Sequence, residues 1–113
     1  MLRMLGTAIV AAGLNLAALP NYFTYAEWLR LSDEGRAAYI AGTFDALVNH
    51  YDDEAGRAVA NHYSECVSRA QLSSAQMGDR LRAYVNTRPE LRAGTVQAAL
   101  LKFLADLCVS PRQ

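Results

Sequence analysis

The chain has only two cysteines, Cys66 and Cys108, and the stretch between them reads as a helical hairpin. Ser73 and Gln76 have capping-box spacing, which marks a helix start. Met77, Leu81, Tyr84 and Val85 then recur on one helical face, and Arg80 and Arg82 fall off it. Pro89 disfavours helical geometry in the residue before it, so this helix is expected over 74–87. Thr95 is the expected cap of the last helix. There Val96, Ala99, Leu100, Phe103, Leu104 and Leu107 make the clearest apolar stripe in the chain, with Cys108 on its border. If the turn over 88–94 is tight, the two helices run antiparallel. Cys66 precedes the first and Cys108 ends the second, so both lie at one end of the hairpin. A disulfide needs Cα atoms no more than about 7 Å apart, and this topology meets that need. Two free buried thiols in a cytosolic protein are the alternative. The pair lacks the C-x-x-C spacing of a redox site, and two distant cysteines alone make a poor metal site.

Upstream, Ser32 stands ahead of Asp33 and Glu34, a capping residue followed by acids in a first turn. Ile40, Phe44, Leu47, Val48 and Tyr51 follow at helical spacing, which predicts a helix over 33–51. Ala37, Ala41 and Gly42 are small enough to let a second helix approach closely. Ala55, Val59 and Tyr63 sit four apart and predict a helix over 54–66, with Cys66 near its end. No strand-like alternation occurs. The expected fold is all-α, a small bundle of three to four antiparallel helices with one disulfide.

The first residues have the order of an export signal. Arg3 is the only charge, an apolar run from Met4 to Leu19 follows, and Pro20 leads into more polar residues. That run is shorter than the ~20 residues a membrane span needs. Thr24 and Ala26 supply small residues for a cut before Glu27, and Ala11 and Gly13 supply a second candidate. Residues 1–26 are therefore read as a secretory signal peptide and residues 27–113 as the helical domain. The expected location is periplasmic or secreted, with membrane contact only through the signal segment. An uncleaved anchor and a first core helix are the alternatives.

Formal net charge is zero and Lys102 is the only lysine, so no basic patch points to nucleic acid. There is no Gly-rich phosphate loop, and neither Ser64 nor Ser68 lies in a nucleophile elbow. His50 and His62 lie near Asp52, Asp53 and Glu54, but their spacing matches no helical metal or base motif, so a solvated corner is expected. Asp45, beside Phe44, is expected to cap a neighbouring helix or bond a Tyr hydroxyl. No catalytic residue, cofactor or metal is expected. An interaction surface would use aromatic or Arg anchors off the core stripes, and the candidates are Tyr63, Arg69, Arg80 and Arg82.

Residues 26–47, A-E-W-L-R-L-S-D-E-G-R-A-A-Y-I-A-G-T-F-D-A-L, resemble the first half of the Rap/Tai-type immunity proteins of bacterial type VI secretion. That family carries a Y-I-x-G-x-x-D-A core, matched by Tyr39, Ile40, Gly42, Asp45 and Ala46. Cys66, the capped helix after Ser73, Arg88-Pro89-Glu90 and a last helix ending in Cys108 resemble its second half. Many members have another cysteine where this chain has Ala37 and Ala38, so one bridge is missing here or replaced by packing. The resemblance implies a small exported helical protein with a disulfide. Its partner would be a secreted peptidoglycan amidase-type effector, blocked sterically. The alternative is an exported structural or stress-related helical domain with no toxin partner, for which self-association, a homodimer included, is expected.

Overall fold

Five short polar residues set where the helices begin. Thr24, Ser32, Asp53, Ser73 and Thr95 each accept a hydrogen bond from the backbone N–H three residues on, at 2.8–3.1 Å. Each satisfies an amide that a helix leaves without an intrahelical partner. The computed structural model describes residues 23–109. The helices are α1 (Tyr25–Leu29), α2 (Asp33–Asn49), α3 (Glu54–Ala70), α4 (Ser74–Asn86) and α5 (Val96–Leu107). A short 3-10 helix, Pro89–Ala93, turns the chain between α4 and α5. The fold is all-α, as the periodicity predicts.

α4 packs chiefly on α2, α3 also lies on α2, and α5 lies on α4. The largest fully buried side chains are Trp28, Ile40, Leu81, Val85, Val96, Leu100 and Leu104. Each adds about 1.5–3 kcal/mol of burial. The stripe expected on α5 is buried as read, with Leu107 half-buried at its end. Met77, Leu81 and Val85 of α4 are buried beside it.

α1 was not expected as a helix. Thr24 and Glu27 form a capping box, and the segment is tied to the entry of α5. Tyr25 N–H donates to the Gly94 carbonyl at 3.0 Å, and Val96 N–H donates to the Phe23 carbonyl at 3.1 Å. Thr24 and Thr95 pair as an isolated antiparallel bridge. Tyr25 and Trp28 are buried, and the indole N–H donates to the Arg36 carbonyl at 3.2 Å. The Arg36 guanidinium bonds the Leu29 and Leu31 carbonyls and pairs with Asp33, which fixes the corner between α1 and α2.

Residues 23–26 therefore belong to the folded domain. A cut before Glu27 would run through α1 and remove its cap and the buried Tyr25. The remainder of the expected signal segment, residues 1–22, lies outside the described residues. Among those described, no helix is long and apolar enough to cross a membrane.

Three further expectations are corrected. The buried stripe of α3 is Ala60, Cys66 and Val67 with half-buried Tyr63, whereas Ala55 and Val59 are exposed. α3 also runs a turn past Cys66, to Ala70. The small residue at the crossing of α2 and α4 is Gly78, whose absent Cβ would lie 3.5 Å from Trp28 Cζ2 and 3.8 Å from Ile40 Cγ1. Gly42 has no such neighbour within 4 Å, so it eases no helix contact.

Cys66 and Cys108 form a disulfide with Cα atoms 5.7 Å apart. It joins the last turns of α3 to the C-cap of α5. One turn before Cys66, His62 Nε2 lies 2.7 Å from the Cys108 carbonyl oxygen and supports the same junction.

Candidate partner-binding surface

The four residues expected to anchor a partner do not share one recess. Tyr63 is half-buried against the core, with its ring 5.6 Å from that of His62. Arg69 is exposed and stands 3.9 Å from Glu65 on its own helix. Arg80 is exposed on α4. Arg82 is different, because it lines a recess of about 300 Å3 between α1, α4 and the 3-10 helix.

One side of that recess is Tyr25, Ala26 and Leu29 of α1. Its polar side is Arg82 and Asn86, one turn apart on α4, with Arg92 from the 3-10 helix. Arg92 Nη2 donates to Asn86 Oδ1 at 3.1 Å. Arg82 stands 3.7 Å from Asp79, an exposed pair of little strength. Tyr25 is only 3% exposed, and no hydrogen bond from its hydroxyl is made among the described residues. No fully buried side-chain N or O atom there lacks a partner, so the hydroxyl is the part of Tyr25 that reaches the recess. Burial pushes the Tyr25 phenol above its ordinary 10.0, and the nearby Arg82 and Arg92 guanidiniums oppose that rise. Leu29, at 41% exposure, puts an apolar side chain at the rim.

Arg82 could be named from the sequence because it falls off the α4 stripe. Arg92 and Asn86 could not, since only the 3-10 turn after Pro89 brings Arg92 back to α4. Tyr25 falls within the expected signal segment, and no periodic pattern marks Leu29.

A second opening, of about 550 Å3, runs along α2 past Tyr39, Gly42, Thr43, Ala46 and Leu47 to Gln97 of α5. Phe23 enters beside it. Its backbone N–H donates to Tyr39 Oη at 2.9 Å, and the two rings are 5.0 Å apart.

The His50 and His62 corner is divided among structural tasks. His50 Nδ1 lies 3.2 Å from the Ala46 carbonyl at the end of α2, while His62 turns to Cys108. Asp53 caps α3 and Glu54 stands 3.5 Å from Arg57. Among the described residues no three His, Cys, Asp or Glu side chains are grouped to hold a metal ion. Asp45 bonds Asn49 Nδ2 of its own helix at 2.7 Å, so it neither caps a neighbour nor takes a Tyr hydroxyl.

Another polar cluster is closed on itself. The Tyr84 hydroxyl donates to Asp106 Oδ2 at 2.6 Å, and Arg88 donates to the same oxygen at 3.0 Å. The Arg88 guanidinium also lies 4.9 Å from the centre of the Tyr84 ring. Burial, then the bond to Asp106, raises the Tyr84 phenol above its ordinary value.

Comparison of the chain with protein-family models, with curated proteins and with solved structures finds no match.

Proposed function

We propose that this chain is an exported helical binding protein of the immunity type, which blocks a secreted cell-wall-degrading enzyme by covering its active site. The observation that carries the reading is the Cys66–Cys108 disulfide, which closes the hairpin and suits an oxidising compartment. The Y-I-x-G-x-x-D-A resemblance at Tyr39 to Ala46 supplies the class of partner, a peptidoglycan amidase-type effector. Occlusion needs surface complementarity and no catalytic group of its own. Export would use a cut ahead of Phe23, which leaves α1 whole; the Ala11/Gly13 site satisfies that and the site before Glu27 does not.

Affinity capture from periplasmic extract tests the proposal. A cell-wall hydrolase held by the oxidised protein, and inhibited by it, is the expected result. Capture of no hydrolase or other toxin overturns it. Mass measurement of the mature chain should give an N-terminus ahead of Phe23.

The open groove on α2 favours one second reading, an exported helical domain that self-associates and has no toxin partner. Light scattering decides between the two, because a strict monomer across the pH range removes the second.

A further inference from the structure

The recess between α1, α4 and the 3-10 helix combines three features. Two guanidiniums, Arg82 and Arg92, converge from separate elements on one opening. No carboxylate lines it, and Asp79 meets Arg82 only at 3.7 Å from outside. The Tyr25 hydroxyl reaches it without a hydrogen-bond partner among the described residues, on a side chain that is otherwise buried. The hydroxyl is open to the recess and is free to donate to a group that enters it.

The geometry points to a carboxylate-binding subsite for an acidic side chain of a protein partner, presented next to an apolar residue. The carboxylate takes N–H donors from Arg82 and Arg92 and the O–H of Tyr25, and the adjoining apolar side chain lies on Ala26 and Leu29. Guanidinium groups suit this task because their planar donor array matches a carboxylate. The volume of about 300 Å3 accommodates one such side chain with its neighbour. The subsite is rigidly held, since the capping box of α1 and its bonds to Gly94 and Val96 fix that side. This inference rests on the reading of the chain as a binding protein and names the chemistry its partner presents.

The test is an NMR titration of the oxidised protein with acetyl-Leu-Glu-amide and, in parallel, with acetyl-Leu-Gln-amide and with acetate. The Glu peptide is expected to shift Ala26, Leu29, Asn86 and Arg92, while the Gln peptide and acetate leave them in place. The double variant Arg82→Gln with Arg92→Gln should weaken the Glu peptide by about tenfold or more at an unchanged melting temperature. Both side chains are exposed, so folding is retained. Tyr25→Phe keeps the ring and should also weaken binding. Equal shifts with the Gln peptide, shifts of the same size with acetate, or full binding by the double variant would each overturn the subsite. The two proposals fail separately. If the Glu peptide binds here but no hydrolase is captured, the immunity reading falls and the subsite stands. If a captured hydrolase holds the double variant as tightly as the parent, the subsite falls and the immunity reading stands.

Discussion

Gln71 ends α3 with φ of 56°, in the left-handed region, and it is the one non-glycine residue there among those described. Its N–H bonds the Ser68 carbonyl and so completes the helix end, but its Cβ pays the steric penalty that glycine avoids. Gln71→Gly should stabilise the protein by roughly 0.5–1 kcal/mol, read as a melting temperature higher by a few degrees. A lower melting temperature would show that the Gln71 side chain contributes more than its backbone costs. Tyr25 sets an alkaline limit at the same scale. Its phenol, buried and so raised above 10.0 in the fold, keeps its proton where the unfolded chain loses it. Tyr84 shifts in the same direction. The stability these groups give is full below pH about 10 and falls as pH rises from there through the folded-state values. Melting temperatures should therefore decline as pH rises above about 10, and Tyr25→Phe should make that decline shallower. An identical alkaline decline in Tyr25→Phe would remove Tyr25 as its cause.

The elements differ in how far the sequence discloses them, and the reason is redundancy of pattern. On α5 every large apolar residue from Val96 to Leu104 faces one way except Leu101, so periodicity leaves one solution. On α3 the sequence offers two stripes at helical spacing. Ala55, Val59 and Tyr63 form one, while Gly56, Ala60, Tyr63 and Val67 form the other. Only packing against α2 and the position of Cys66 select the second. α1 has five residues, too few for a period, and its one local sign is the Thr24–Glu27 capping-box spacing. The recess was legible only at Arg82, because Arg92 reaches it through a turn whose direction no short-range pattern gives. The crossing of α2 and α4 carries a prediction at this scale. A methyl at Gly78 would meet Trp28 and Ile40 at ordinary van der Waals distance, and alanine is a better helix residue than glycine. Gly78→Ala should stabilise by about 0.5–1 kcal/mol, as should Gly42→Ala on the open side of α2, which has no neighbour to disturb. Gly78→Leu should instead cost about 1–3 kcal/mol, since Trp28 and Ile40 are fully buried and cannot give way. Thermal unfolding of the three variants checks this. Equal effects of alanine and leucine at position 78 would mean that the crossing is looser than the distances state.

For the molecule as a whole the disulfide is the strongest single constraint. It joins residues 42 apart in sequence and spans α4, the 3-10 turn and α5. Closing a loop of that length removes about 4 kcal/mol of chain entropy from the unfolded state. A domain of this size has a net stability of about 5–15 kcal/mol, so the bond supplies a large share of it. α3 and α5 have the His62 contact to the Cys108 carbonyl at the same junction, but one hydrogen bond contributes about 1 kcal/mol and cannot replace the bridge. Reduction should lower the melting temperature by on the order of 15–30 °C. Cys66→Ser and Cys108→Ser should each reproduce that loss, and the double variant should be no worse than either, because all three remove one and the same cross-link. A marked further loss in the double variant would mean that the thiols stabilise by packing and not by closure. Free-thiol titration of the denatured, unreduced protein gives the direct answer. Absence of reactive thiol is expected, and two thiols per chain would remove both the bridge and the argument from it to an oxidising compartment.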